Sequence, residues 1–219
     1  MTNYSVYFAG DLFDHKHLLG NAILAETITR RSKGKYESIL PQALEKTFTR
    51  TIDIRNQDLF LLMNCDLGLF NFDGTDLDSG TVVEYVIAKI LDIPSVILRS
   101  DFRNSGDQKQ GGDNWNLMCS NYPRSRIIQF NAMEWYQDAI KGDKPVKIWS
   151  DKLYNRIADT IISELTSVHK IPSIFDGNEE KIRAIYEWAT QFPGGNLEQY
   201  YPQGTLDKII KSKKLKGLL

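Results

Sequence analysis

The chain has 219 residues, 42% of them hydrophobic and 25% charged, with a net charge of −1. That is enough apolar material for one sizeable core, and it carries no basic field of the kind a nucleic-acid partner needs. Its two cysteines, Cys65 and Cys119, exclude a disulfide framework. No apolar run reaches the ~18 residues of a membrane span, and "MTNYSVYFAGD" lacks the charged and apolar regions of a signal peptide. The expectation is a cytoplasmic protein with no membrane and no nucleic-acid partner.

In chain order, Tyr4–Phe13 reads as a buried strand closing at Gly10. His17–Arg31 follows as a helix, with apolar residues at Leu18, Leu19, Ala22, Ile23 and Ile28. Tyr36–Pro41 is a short second strand. Ile52–Asn64 is a helix with Leu59, Leu62 and Met63 inward, and Cys65–Phe72 is a third strand. A helix beginning at "TVVEYVIAKIL" leads to strands at Pro94–Asp101 and Ser125–Phe130. Five strands alternating with helices predict a parallel sheet covered on both faces. Ligands in such folds bind at the carboxyl ends of the strands. Gly10–Phe13, Phe72–Asp78 and the residues from Ser100 onward are therefore the candidate site loops.

Two later segments stand apart. Ser100–Asn114 is glycine-rich and almost free of apolar residues, which suits either a lid or a solvated insertion. The expected organisation is an α/β domain over residues 1–148 and a helical extension over 149–219, packed on the α/β core or on a second subunit. The final lysines (Lys208, Lys211, Lys213, Lys214 and Lys216) are expected to form a solvated, frayed helix end, with contact to a polyanion as the alternative.

No metal-ligand cluster is evident, since His15, His17 and His169 do not converge. The sequence also lacks GxGxxG, a P-loop and a G-x-S-x-G elbow. What remains is carboxylates at strand ends. Glu84 has two readings. With Thr81 it fits the capping box [ST]-x-x-E, or it is a nucleophile beside the strand ends, with Asp78 six residues earlier as a second carboxylate. Such a pair suits glycosyl transfer through an oxocarbenium-like transition state. Asp58 is either a solvated acid or a group that protonates a leaving heterocyclic base. Tyr7 is either core packing with a satisfied hydroxyl or part of the site. Asn116, in "DNWNLM", sits in a turn or reaches a substrate across a subunit interface.

Four segments in order, "VYFAGDLF", "IRNQDLFLLMNCDLGLFNFDG", "DLDSGTVVEYVIA" and "NWNLM", resemble the nucleoside 2-deoxyribosyltransferases over roughly Tyr4 to Phe130. The resemblance implies a flavodoxin-like, Rossmann-like fold, to which the C-terminal helical extension is an addition. It also implies exchange of the base of a 2′-deoxynucleoside through a covalent deoxyribosyl–glutamate, with no cofactor. In this reading Glu84 is the nucleophile, Asp78 holds the sugar hydroxyls, Asp58 lies near the base and Tyr7 orients Glu84. Gly10, Asp11 and Phe13 line the substrate pocket. Asn116, with Met118 beside it, reaches the sugar 5′-hydroxyl of a neighbouring subunit, so a homo-oligomer is implied. Asp11 stands where many members have proline, and residues 149–219 have no counterpart. A related N-glycoside hydrolase and a nucleotide-sensing module without turnover are the alternatives.

Overall fold

The computed structural model describes residues 2–43, 50–103, 112–142 and 145–219. Five strands, β1 (Tyr4–Ala9), β2 (Tyr36–Ile39), β3 (Leu67–Asn71), β4 (Ser95–Arg99) and β5 (Ser125–Gln129), form one sheet in the order β2-β1-β3-β4-β5. Every pairing is parallel. This is the doubly wound, flavodoxin-like order, whose switch point lies between β1 and β3.

The two-residue period of β1 divides the molecule. Tyr4, Val6 and Phe8 face one core, with α1 (His15–Arg31) and α5 (Val146–Val168). Tyr7 and Ala9 face the other, with α2 (Thr51–Asn64), α3 (Ser79–Ile90), α6 (Glu179–Gln191) and α7 (Thr205–Leu215). A further helix, α4 (Ala132–Ile140), falls where the sequence suggested no element, and packs on α5. The segment after residue 148 therefore contributes to both faces of the sheet.

Two expectations are corrected here. On α1 the buried residues are Asn21, Leu24, Ala25, Thr27 and Ile28, while Leu18, Leu19 and Ile23 are exposed. Polar Asn21 and Thr27 tolerate burial because Asn21 Nδ2 donates to the Asp11 carbonyl at 2.9 Å and Thr27 Oγ1 to the Ile23 carbonyl at 2.7 Å. The terminal lysines are also not a uniformly solvated end. Lys213 is buried and its Nζ donates to the Cys65 carbonyl, and Lys216 pairs with Asp66 at 2.6 Å. Asp66 accepts in turn from the Ser5 backbone at 2.8 Å. Nearby, Arg124 donates to both Asp92, at 2.6 Å, and the Leu218 carbonyl, at 3.0 Å. The last helix and the residues after it thus clasp the chain where β1, β3, β4 and β5 begin, at the end of the sheet opposite the carboxyl ends of the strands. Of the Ser100–Asn114 loop, residues 104–111 lie outside the described residues.

Candidate active site

At the carboxyl edge of the sheet, a cavity of about 880 Å³ opens beside β1, between α2 and α3. Its lining includes Gly10, Phe13, Asp58, Asp78 and Glu84. Each is delivered by a separate local device. Gly10 follows β1, and a Cβ there would lie 3.0 Å from the Asn71 side chain. Phe13 is 77% exposed at the mouth. Asp58 lies midway along α2, one residue before buried Leu59, so the phase that buries Leu59 and Leu62 turns Asp58 toward the cavity edge.

Asp78 is the N-cap of α3. Its Oδ2 accepts from the Thr81 backbone N–H at 2.7 Å and from Thr81 Oγ1 at 2.8 Å. This overturns the capping-box reading, in which Thr81 was the cap and Glu84 its partner. The helix starts three residues earlier than that reading requires, so Glu84 sits in the second turn, beyond reach of the free N–H groups.

Glu84 is engaged elsewhere. The Tyr7 hydroxyl, carried on β1, donates to Glu84 Oε1 at 2.6 Å. Tyr7 is fully buried and out of phase with Val6 and Phe8, which is why it faces α3 rather than α1. Burial pushes the Glu84 carboxyl up to about 8, the Tyr7 hydrogen bond opposes that, and the charges of Asp58 and Asp78 add to it. Around neutral pH the protonated carboxyl is therefore favoured. Burial, followed by the charge on Glu84, drives Tyr7 well above the usual phenol range, so it remains a hydroxyl donor. A buried carboxyl raised by its surroundings, held by a neutral donor and sharing a cavity with two further acids, makes Glu84 the candidate reacting group of this site.

The remaining expected residues are placed differently. Asp11 is half-buried beside the cavity but is not part of its lining. Desolvation, then the charge of Asp78, raises its carboxyl. Asn116 caps a short 3-10 turn, its Oδ1 accepting from the Met118 backbone at 2.9 Å. Asn116 is exposed and Met118 is 68% exposed, and neither lines the cavity of its own chain. Among the described residues, no group of three or more His, Cys, Asp or Glu side chains is arranged to hold a metal ion. No helix of the described residues is long and apolar enough to cross a membrane.

Phe192 and Pro193, from the turn after α6, also line the cavity, which the sequence reading did not foresee. The signal was "FPGG", an aromatic residue on a turn of fixed geometry directly after an amphipathic helix.

The Nucleoside 2-deoxyribosyltransferase family model matches residues 6–118, slightly more than half of the chain. The chain belongs to that family. The match runs from β1 through Met118 and so spans every carboxylate of the cavity, but not the Phe192–Pro193 turn. No curated protein matches significantly. Among solved structures, a conserved protein from Enterococcus faecalis V583 is 20% identical, with a TM-score of 0.48 over 76% of this chain and 99% of its own. A 2-desoxiribosyltransferase from Leishmania mexicana is 18% identical, at 0.46 over 64% and 99%. A CMP N-glycosidase from Clostridium botulinum is 13% identical, at 0.40 over 71% and 98%.

Proposed function

We propose that the protein exchanges the base of 2′-deoxynucleosides by double displacement at Glu84. The observation that carries this reading is the 2.6 Å bond from Tyr7 to Glu84 at the edge of a cavity shared with Asp58 and Asp78. Ionised Glu84 attacks C1′ and a C1′–O bond forms. The C1′–N bond breaks, its electron pair leaves on the base nitrogen, and Asp58 or a neighbouring acid supplies the proton. Asp78 holds a sugar hydroxyl through the carboxylate oxygen not committed to the cap. A second base then attacks C1′ and releases Glu84; water in its place gives hydrolysis. Asn116 lies outside its own cavity, so its contact with the sugar 5′-hydroxyl requires a second copy of the chain, and the working unit is a homo-oligomer.

The test is to mix deoxyinosine or thymidine with a different free base and to follow new deoxynucleoside by chromatography. Exchange by the wild type and its loss in Glu84→Ala are expected. Base release that ignores the acceptor would replace this reading with a hydrolase. Exchange by Glu84→Ala at the wild-type rate would remove Glu84 as the nucleophile.

A further inference from the structure

Arg99 closes β4 with a fully buried side chain, although it carries a charge. Val96 and Leu98 face the α1 side of the sheet, and Ile97 faces the α3 side. The two-residue period therefore sends Arg99 to the α3 side, toward the loop that joins β3 to α3. A buried guanidinium is costly unless its donors are used. Here Nη1 donates to the Phe72 carbonyl and, at 2.8 Å, to the Gly74 carbonyl, and Nη2 donates to the Arg103 carbonyl at 3.2 Å.

Asp73, between the two loop carbonyls, makes the return connection. Its carboxylate accepts from the Ser100 backbone at 2.5 Å, the Ser100 hydroxyl at 2.7 Å and the Asp101 backbone at 2.8 Å. Five bonds thus join residues 72–74 to residues 99–101. Gly74 has φ +109°, and a Cβ there would lie 2.9 Å from the Asp76 carbonyl oxygen, so the loop turns sharply at the pinned residue. Four residues later it delivers Asp78, the cap of α3 and part of the cavity lining. Leu77, immediately before it, packs on the core. Support of this kind decides whether a site residue stands within about 0.5 Å of its productive place.

We propose that Arg99 is a positioning residue: through the Phe72 and Gly74 carbonyls it sets where the Asp78 carboxylate meets the sugar, without itself lining the cavity. This rests on the reading in which Asp78 holds a sugar hydroxyl. Misplacing a binding group by about 1 Å can cost about 100-fold in rate. Arg99 therefore matters to turnover only while residue 78 keeps its carboxylate.

The experiment is a double-mutant cycle of Arg99→Met and Asp78→Asn. It is read as kcat/KM for release of free base from deoxyinosine or thymidine, with and without adenine as acceptor. Arg99→Met alone should lower kcat/KM about 10- to 100-fold. Arg99→Lys keeps a charged donor but loses the fork, and should lower it less. In the Asp78→Asn background, Arg99→Met should change it by no more than about 3-fold. A merely structural role would lower both backgrounds by the same factor. Folding is checked by circular dichroism. If Arg99→Met does not fold, Asp73→Ala takes its place in the cycle, removing three of the five bonds from a half-buried position. An unchanged rate in the folded variants, or equal falls in the two backgrounds, overturns the assignment. Base release that ignores adenine would refute the transfer reading alone and leave the cycle readable. If neither donor is turned over, the same cycle is read on their dissociation constants by calorimetry, with the same criteria.

Discussion

Removing the Tyr7 hydroxyl while keeping its ring tests how the candidate nucleophile is held. In Tyr7→Phe the buried ring stays in place, and only the 2.6 Å donor to Glu84 Oε1 is lost. That bond favours the charged carboxylate and opposes the upward push of burial, so its loss moves Glu84 further up from about 8. A hydrogen bond to a charged group is worth about 1.5–3 kcal/mol, which at 1.36 kcal/mol per unit is a rise of about 1–2 units. The acid limb of kcat/KM for base exchange, expected near pH 8 in the wild type, should therefore move to about 9–10. At pH 7 the rate should fall about 10- to 100-fold, and the gap to the wild type should close progressively as pH rises from 8 toward the new limb. The assay is exchange at subsaturating donor from pH 5 to pH 10. A fall of the same size at every pH, with the limb unmoved, would refute this account of Tyr7. A limb displaced downward would refute the sign.

Other consequences are open to measurement. Glu84 has a folded pKa above its ordinary 4.5, so its contribution to stability is fully present below about 4.5 and is lost as pH rises through about 8. Glu84→Gln should therefore be more stable than the wild type at pH 9, by about 1–2 kcal/mol after allowance for water reaching the cavity, and near-equal at pH 4, by urea denaturation. Asp78→Asn keeps a good cap, so the unfolding free energy from urea denaturation should hold within about 0.5 kcal/mol while base exchange falls sharply. Mixing inactive Glu84→Ala with inactive Asn116→Ala, under conditions that let subunits exchange, should restore about a quarter of wild-type activity, because a site then has its own Glu84 half the time and a neighbour's Asn116 half the time. Failure to restore any activity would remove Asn116 from the neighbouring site. Arg124→Met strips the buried partner from Asp92, whose carboxylate keeps Ser173 and the Ile174 backbone. It should cost about 3 kcal/mol in chemical denaturation, and Asp92→Asn in the same chain should return part of that.

The sheet was legible because β1, β3 and β4 are buried on both faces and punctuated by glycine or acidic turns, which leaves little else for them to be. The α1 face was misjudged because apolarity was the only guide. Asn21 and Thr27 are buried on the strength of hydrogen bonds to carbonyls, and those become visible only in three dimensions. At "DLDSGT" several residues are competent caps, so hydropathy cannot choose among them. The choice of Asp78 is what releases Glu84 from a capping role. Lys213 has the appearance of a solvated lysine until Cys65, 148 residues away, supplies its carbonyl. The Phe192 wall was hidden for the same reason, since a turn's docking site on α2 leaves no local pattern in the turn itself.

The clasp made by the last helix also bears on the order in which the molecule assembles. Its bonds join Lys216 to Asp66 across 150 positions and Arg124 to Leu218 across 94, whereas the partners of paired strands stand closer in the chain, Val6 and Leu67 of β1 and β3 being the most distant. Loop closure over such spans is entropically costly, and long-range contacts slow folding. In a refolding experiment, protection of the β1–β3 amides should precede protection of α7. The carboxylate pocket would then exist for a time with its Phe192 side unformed. Any chaperone or ligand acting in that interval would meet an open acidic groove before it met a closed site.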